Sequence, residues 1–299
     1  MKNFKHILCA TDLDEEADNA IRQADQEARR HATRVTFLAV VPYVDRASVL
    51  FPHFHKKLAL DGESFERRVL EGLTERVKRL TGRKVDEFET AADSGTPDAV
   101  VVRKAEELGA DLVVISGPNS GAHERAWLGS MADRVVRYAH CPVLVARQEL
   151  GGHCIDAATD FSDPALPAIE AAALQARLSK RRLILLHSLE VLRIATPPVQ
   201  PELGLVWPTV TDAEIKEFSQ QALKQLEDAM KKLGVDSEAV VSLEPPASAI
   251  IQLAKKRKAD KIVVGTTGRT GLPRLVLGSV AEAVVRDAPC SVLVVRLHP

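Results

Sequence analysis

Between residues 6 and 41 the hydrophobic pattern changes period twice. "HILCAT" is an unbroken apolar run; after Asp14, Ala17, Ala20, Ile21, Ala24 and Ala28 recur at three and four residues; "RVTFLAVV" is unbroken again. Short continuous runs of this kind predict strands buried on both faces, and the three-and-four spacing predicts an amphipathic helix between them. Carried along the first half, the same reading predicts strands near 6–11, 34–41, 85–91, 111–116 and 142–146. Helices are predicted over 59–82 and 96–109, and again after Gly129-Ser130, where Ala132, Val135, Val136 and Ala139 share a face.

The second half repeats the first. "HILCATDLDEEADNAIRQADQEA" at 6–28 lies over "CIDAATDFSDPALPAIEAAALQA" at 154–176 with a shift of 148, and "LGSMADRVVRYAHCPVLVAR" lies over "LGSVAEAVVRDAPCSVLVVR" with a shift of 149. So constant a shift means a duplicated domain. Strands are predicted near 154–159, 182–189, 238–243, 261–265 and 291–295, and helices near 162–179, 211–233, 246–257 and 279–287. With right-handed crossovers this gives an α/β chain of two doubly wound, five-stranded parallel-sheet domains. "RQELGGH" at 147–153 reads as the linker, so the domains are expected at 1–147 and 152–299.

Composition narrows the partners. With 40 basic and 41 acidic residues the formal charge is -1, too even for a nucleic-acid or anionic-membrane footprint. No stretch approaches the roughly 20 apolar residues of a membrane span, and the start does not read as a signal peptide. The four cysteines form no C-x-x-C pair, which argues against a zinc site or disulfide framework and fits a cytoplasmic protein. Cys141 and Cys290 occupy one repeat position and read as small buried hydrophobes. A small ligand and unidentified protein partners remain.

The chemistry concentrates in "GTTGRTGLPRLVLGS" at 265–279. It follows the fourth strand of the second copy, and in an open parallel sheet ligands bind beyond such strand ends. Gly265 and Gly268 leave the backbone bare to close approach. Gly278 and Ser279 offer free N–H groups and a hydroxyl at a helix N-terminus, a seat for phosphate. Taken alone, these glycines are equally readable as turn formers.

The spacing Gly265-x2-Gly268-x9-Gly278-Ser279, after "ADKIVVG" and before "APCSVLVV", resembles the ATP-binding signature of the universal stress protein family. "ILCATDLDEE" and "IDAATDFSDP" are similar to that family's opening strand with its terminal aspartate. The resemblance spans the chain twice. It implies the adenine nucleotide alpha hydrolase-like fold, ATP as ligand with Mg2+ or Mn2+ on its phosphates, and a regulatory role in the stress response. By resemblance Asp160 is the adenine-side aspartate and Ser188 lies against the base. Val264, Gly265 and Gly268 meet ribose and phosphate, and Gly278, Ser279 and Val280 cradle phosphate. The resemblance also implies that the last strands pair within the chain, making a pseudo-dimer that is a monomer or dimerises further.

The first copy departs from the signature. Ser116 and Asn119 replace Gly265 and Gly268, and Pro118 removes a donor, so a nucleotide is expected mainly in the C-terminal half. Asp12 and Ser130 survive there as weaker candidates; in the second copy the loop arginines Arg269 and Arg274 are secondary candidates for phosphate. Asp12 and Asp160 also have a bland reading as helix caps, for which Asp14 and Ser162 are equally placed. His187 reads as a core histidine. His53 and His55 lack a third zinc ligand of obvious spacing. The proline-rich insert at 193–212, with Trp207, reads as a lid or partner surface. No residue stands out as a base for ATP hydrolysis. A nucleotide-independent scaffold or chaperone-like protein is the alternative, and an ATP-dependent enzyme is less favoured.

Overall fold

The computed structural model describes residues 3–41, 62–117, 130–190, 210–266 and 277–296. It divides into two compact units, Lys2–Gln148 and Glu149–Pro299.

In the first unit the strands are β1 (His6–Thr11), β2 (Arg34–Val41), β3 (Glu89–Ser94), β4 (Leu112–Ser116) and β5 (Val143–Ala146). The helices are α1 (Asp18–His31), α2 (Gly62–Thr81), α3 (Pro97–Leu108) and α4 (Ser130–Tyr138). The sheet order is β3-β2-β1-β4-β5, with parallel pairing. β1 is central and buried along its whole length. That is why its sequence runs continuously apolar instead of alternating.

The second unit has β6 (Cys154–Ala158), β7 (Arg182–Ser188), β8 (Ser237–Ser242), β9 (Lys261–Gly265) and β10 (Ser291–Val295). Its helices are α5 (Leu166–Ser179), α6 (Asp212–Leu233), α7 (Pro246–Arg257) and α8 (Ser279–Asp287). Strand order is β8-β7-β6-β9-β10, again parallel. The duplication is preserved to the residue. Ile7 stands opposite Val35 and Leu112 in the first sheet, and Ile155 stands opposite Leu183 and Lys261 in the second.

The helices end as their sequences require. Gly109 and Gly234 close α3 and α6 in the left-handed conformation; Ala32, Lys180 and Lys258 hold the same position after α1, α5 and α7. α6 opens on a capping box, in which Thr211 accepts from Glu214 N while the Glu214 carboxylate accepts from Thr211 N.

One predicted strand is displaced. The strand expected at 85–91 runs instead from Glu89 to Ser94, because residues 85–87 form a short 3-10 turn. Val85 points outward, 55% exposed. Arg83 anchors the turn through Glu87 O at 3.0 Å, and the Glu87 carboxylate accepts from Lys84 N. Phe88, next in line, packs edge-on against Phe37 at 5.8 Å. Val85 and Phe88 read as one run in the sequence, but only the phenylalanine faces the core.

Candidate functional site

At the carboxyl end of β6 the chain turns sharply. Thr159 N donates to Leu186 O, the Thr159 hydroxyl accepts from Phe161 N at 3.0 Å, and Phe161 takes a left-handed φ of 61°. A bulky residue held there costs about 1–3 kcal/mol, strain that tends to collect at functional sites. Phe161 is supported by stacking on His187, whose ring centroid lies 4.3 Å away. His187 is buried, with Nδ1 2.8 Å from Thr159 O, in keeping with its reading as a core histidine.

The turn aims Asp160. Its Oδ1 accepts from both Ser162 N, at 3.0 Å, and the Ser162 hydroxyl, at 2.5 Å. This is an Asx turn, and Ser162, at the N-cap of the 3-10 turn that follows, makes no side-chain capping bond. At the end of β7 the Ser188 hydroxyl donates to Glu244 O at 2.7 Å. Across the sheet, Thr266 N donates to Val295 O after β9, and Gly278 N returns to Thr266 O at 2.8 Å before α8 begins.

This last bond corrects one expectation. The Gly278 N–H is not free, because Thr266 O takes it. The donors left without intrahelical acceptors are those of the first turn of α8, which starts at Ser279. Gly278 itself has φ -63° and ψ 146°, which any residue adopts, so its backbone conformation does not require glycine.

Asp160, Ser188, Val264, Gly265, Gly278, Ser279 and Val280 all line one cavity of about 290 Å³. Three strand ends and a helix N-terminus therefore converge where the sequence placed them. Gly268, Arg269 and Arg274 lie outside the described residues, as do Pro118, Asn119, the His53–His55 pair and residues 193–209 with Trp207. Sequence reasoning missed the apolar wall. Leu186 of β7 and Pro246 and Ile250 of α7 close the cavity, and the one available signal was the apolar face of the helix predicted at 246–257. Among the described residues no group of three His, Cys, Asp or Glu could hold a metal ion.

The first unit repeats the turn with other chemistry. Leu13 has φ 69°, and Thr11 Oγ1 accepts from Leu13 N at 3.1 Å. Asp12 accepts from Asp14 N at 3.2 Å, but Asp14 brings a carboxylate where Ser162 brings a hydroxyl. Both aspartates are exposed. Ser130 opens α4 as Ser279 opens α8. All four cysteines are buried and none is in a disulfide, and burial pushes the Cys9 thiol far above its ordinary range.

The fold and the cavity define a class: doubly wound α/β domains that open a ligand mouth at the carboxyl ends of the strands. Comparison makes the class specific. The model of the universal stress protein family matches residues 3–147 and again 155–296, and the chain belongs to that family twice over. It is similar to a universal stress protein of Methanocaldococcus jannaschii, 39% identical over 142 residues that make 46% of this chain and 78% of that one. Among solved structures it is similar to a universal stress protein from Archaeoglobus fulgidus, with TM-score 0.67 and 16% identity, covering 99% of this chain and 97% of that one. Another from Archaeoglobus fulgidus, solved in complex with dAMP, is 25% identical with TM-score 0.34 and covers 47% of this chain and 95% of its own. No helix among the described residues is long and apolar enough to cross a membrane.

Proposed function

We propose that the chain is an ATP-binding regulatory protein of the stress response, that it holds its nucleotide in the second unit, and that it turns ATP over slowly or not at all. The observation that carries this reading is the shared cavity. Leu186, Pro246 and Ile250 give the cavity an apolar wall that suits a flat base, and the same cavity is lined by the α8 N-terminus, whose first amides lack intrahelical acceptors and favour phosphate. Asp160 and Ser188 stand at the slot as acceptors, since the Ser188 proton is engaged by Glu244 O. Acceptors favour a ligand edge that carries an amino group, as adenine does.

Holding is favoured over cleaving. Asp160 is the one carboxylate among the described lining residues, and its Oδ1 is occupied by Ser162. The described residues offer no three-ligand cage, so a bound Mg2+ or Mn2+ fits this site only as an ion carried by the phosphates. In the first unit the paired exposed carboxylates of Asp12 and Asp14 would repel phosphate, which favours a scaffolding role for that half.

The test is release of nucleotide. Purified protein is denatured and the supernatant analysed for adenine nucleotide, in wild type and in Gly278→Val. Nucleotide from the wild type alone supports the reading. Its absence from both, with no ATP binding on addition, rejects it, and steady release of ADP or pyrophosphate would make the protein an enzyme.

A further inference from the structure

Asp156 stands in the middle of β6, 2% exposed, and among the described residues no N–H or O–H group donates to its carboxylate, which meets only the weak donor of the Cys154 thiol. The corresponding residue of the first unit, 148 positions earlier, is Leu8, fully buried. One repeat thus keeps a carboxylate where its twin is content with a hydrocarbon.

The surroundings give it no ionic rest. Lys261 of β9 reaches Gln175 of α5 at 2.9 Å, so α5 covers one face of the sheet. Asp156, in register with Ile262 and Ile184, faces the other, under α7. The charged and titratable groups on that side are Cys154 of β6, Arg182 of β7 in register with it, Glu238 of β8 and Arg257 at the end of α7; directly beside Asp156, β7 and β9 present isoleucines. The Arg257 guanidinium is taken by Glu238, which Arg182 also meets at 3.1 Å. The Arg257 carbonyl, at the negative end of α7, lies 3.7 Å from Cys154 Sγ. Burial raises the Asp156 pKa to about 7, against the opposing pull of Arg257 and the Cys154 thiol.

α7 joins this carboxylate to the cavity. Pro246 and Ile250 in its first turns line the pocket, and Arg257 in its last turn stands by Asp156. β6 does the same from the other side, since Ala158 and Asp160 follow Asp156 at two and four residues and also line the pocket.

We propose that Asp156 is a proton-operated latch: protonated, it lets α7 seat on β6 and close the pocket wall; ionised, it loosens that seating and releases the ligand. The ligand half of this proposal rests on the nucleotide reading of the pocket. The sign is fixed: ligand affinity falls as pH rises through neutrality, and binding takes up protons.

The experiment uses the full chain as wild type, Asp156→Leu, which copies Leu8, and Asp156→Asn, which keeps the shape without the charge. Protection of α7 amides from hydrogen exchange, corrected for intrinsic rates, is measured without ligand at about pH 6 and about pH 8, and ATP affinity is measured by calorimetry at the same values. The wild type should lose α7 protection and bind ATP roughly tenfold more weakly at the higher pH. Both variants should keep their α7 protection, with only the pH slope that ATP's own phosphates impose. Equal α7 protection at both pH values in wild type overturns the latch. So does a loss of protection shared by all three proteins. Failure of all three to bind ATP strikes the pocket reading alone, because the exchange measurement needs no ligand.

Discussion

Ser162 donates both its amide and its hydroxyl to a single oxygen of Asp160, at 3.0 and 2.5 Å. The amide bond survives any substitution that keeps the turn; the hydroxyl bond does not. Ser162→Ala should therefore leave the fold within about 1 kcal/mol of wild type, while the Asp160 carboxylate gains rotational freedom and ATP binding weakens roughly fivefold to tenfold. Ser162→Asp, which copies Asp14 of the first unit, should weaken it further by adding negative charge at the mouth. Calorimetric titration against a thermal melt separates the two effects, and a loss of binding that tracked a loss of stability would refute the positioning role.

Gly278 makes a second, sharper separation. Its backbone lies in an ordinary extended region, so valine there meets no conformational penalty, and the bond from its amide to Thr266 O is retained. The expected cost falls on the ligand: Gly278→Val should lower ATP affinity by at least about a hundredfold while the melting temperature moves by only a few degrees. Valine tolerated without loss of binding would mean that nothing approaches this residue closely.

Much of this was legible in the sequence because each signal was local or repeated. Continuous apolar runs gave the strands, and a shift of 148 residues that recurs in strand register, from Ile7 opposite Val35 to Ile155 opposite Leu183, gave the two domains. What escaped depended on partners far along the chain. Val85 reads as a strand residue until Arg83 and Glu87 are seen to fold the chain into a turn. Asp156 carries no signal of its own within the apolar strand, because only the fold sets it among Cys154, Glu238 and Arg257. The pocket's apolar wall, Leu186 of β7 with Pro246 and Ile250 of α7, carries no motif.

Asp156 also sets the pH dependence of stability. Its pKa rises from 3.8 in the unfolded chain to about 7 in the folded one, through burial. Below both values each state holds the proton and nothing is lost. Between them only the folded state does, so stability falls as pH rises across that window and is level above it. Three units at about 1.4 kcal/mol each put the loss near ~4 kcal/mol, an upper figure because the chain relaxes around a buried charge. Urea unfolding of the ligand-free protein from about pH 5 to about pH 8 should show the decline, and Asp156→Asn should remove most of it; parallel curves for the two proteins would exclude Asp156 as the source.

Ser188 gives the pocket a preference that can be read without disturbing the phosphate end. A serine hydroxyl has one proton, and here Glu244 O accepts it at 2.7 Å, so toward the cavity only lone pairs remain. Such a group bonds a donor and repels another acceptor. ATP presents an amino group on its base, whereas inosine triphosphate presents a carbonyl oxygen at the same position and is alike in ribose and phosphates. Wild-type protein should therefore prefer ATP by roughly tenfold to a hundredfold, on the scale of one hydrogen bond exchanged for an unfavourable contact. Ser188→Ala removes the acceptor and the contact together, so ATP should weaken, inosine triphosphate should hold or improve, and the ratio should fall toward unity. Competition of the two nucleotides for one labelled ligand measures that ratio directly. If the substitution weakened both equally, Ser188 would be shaping the end of β7 and not reading the base.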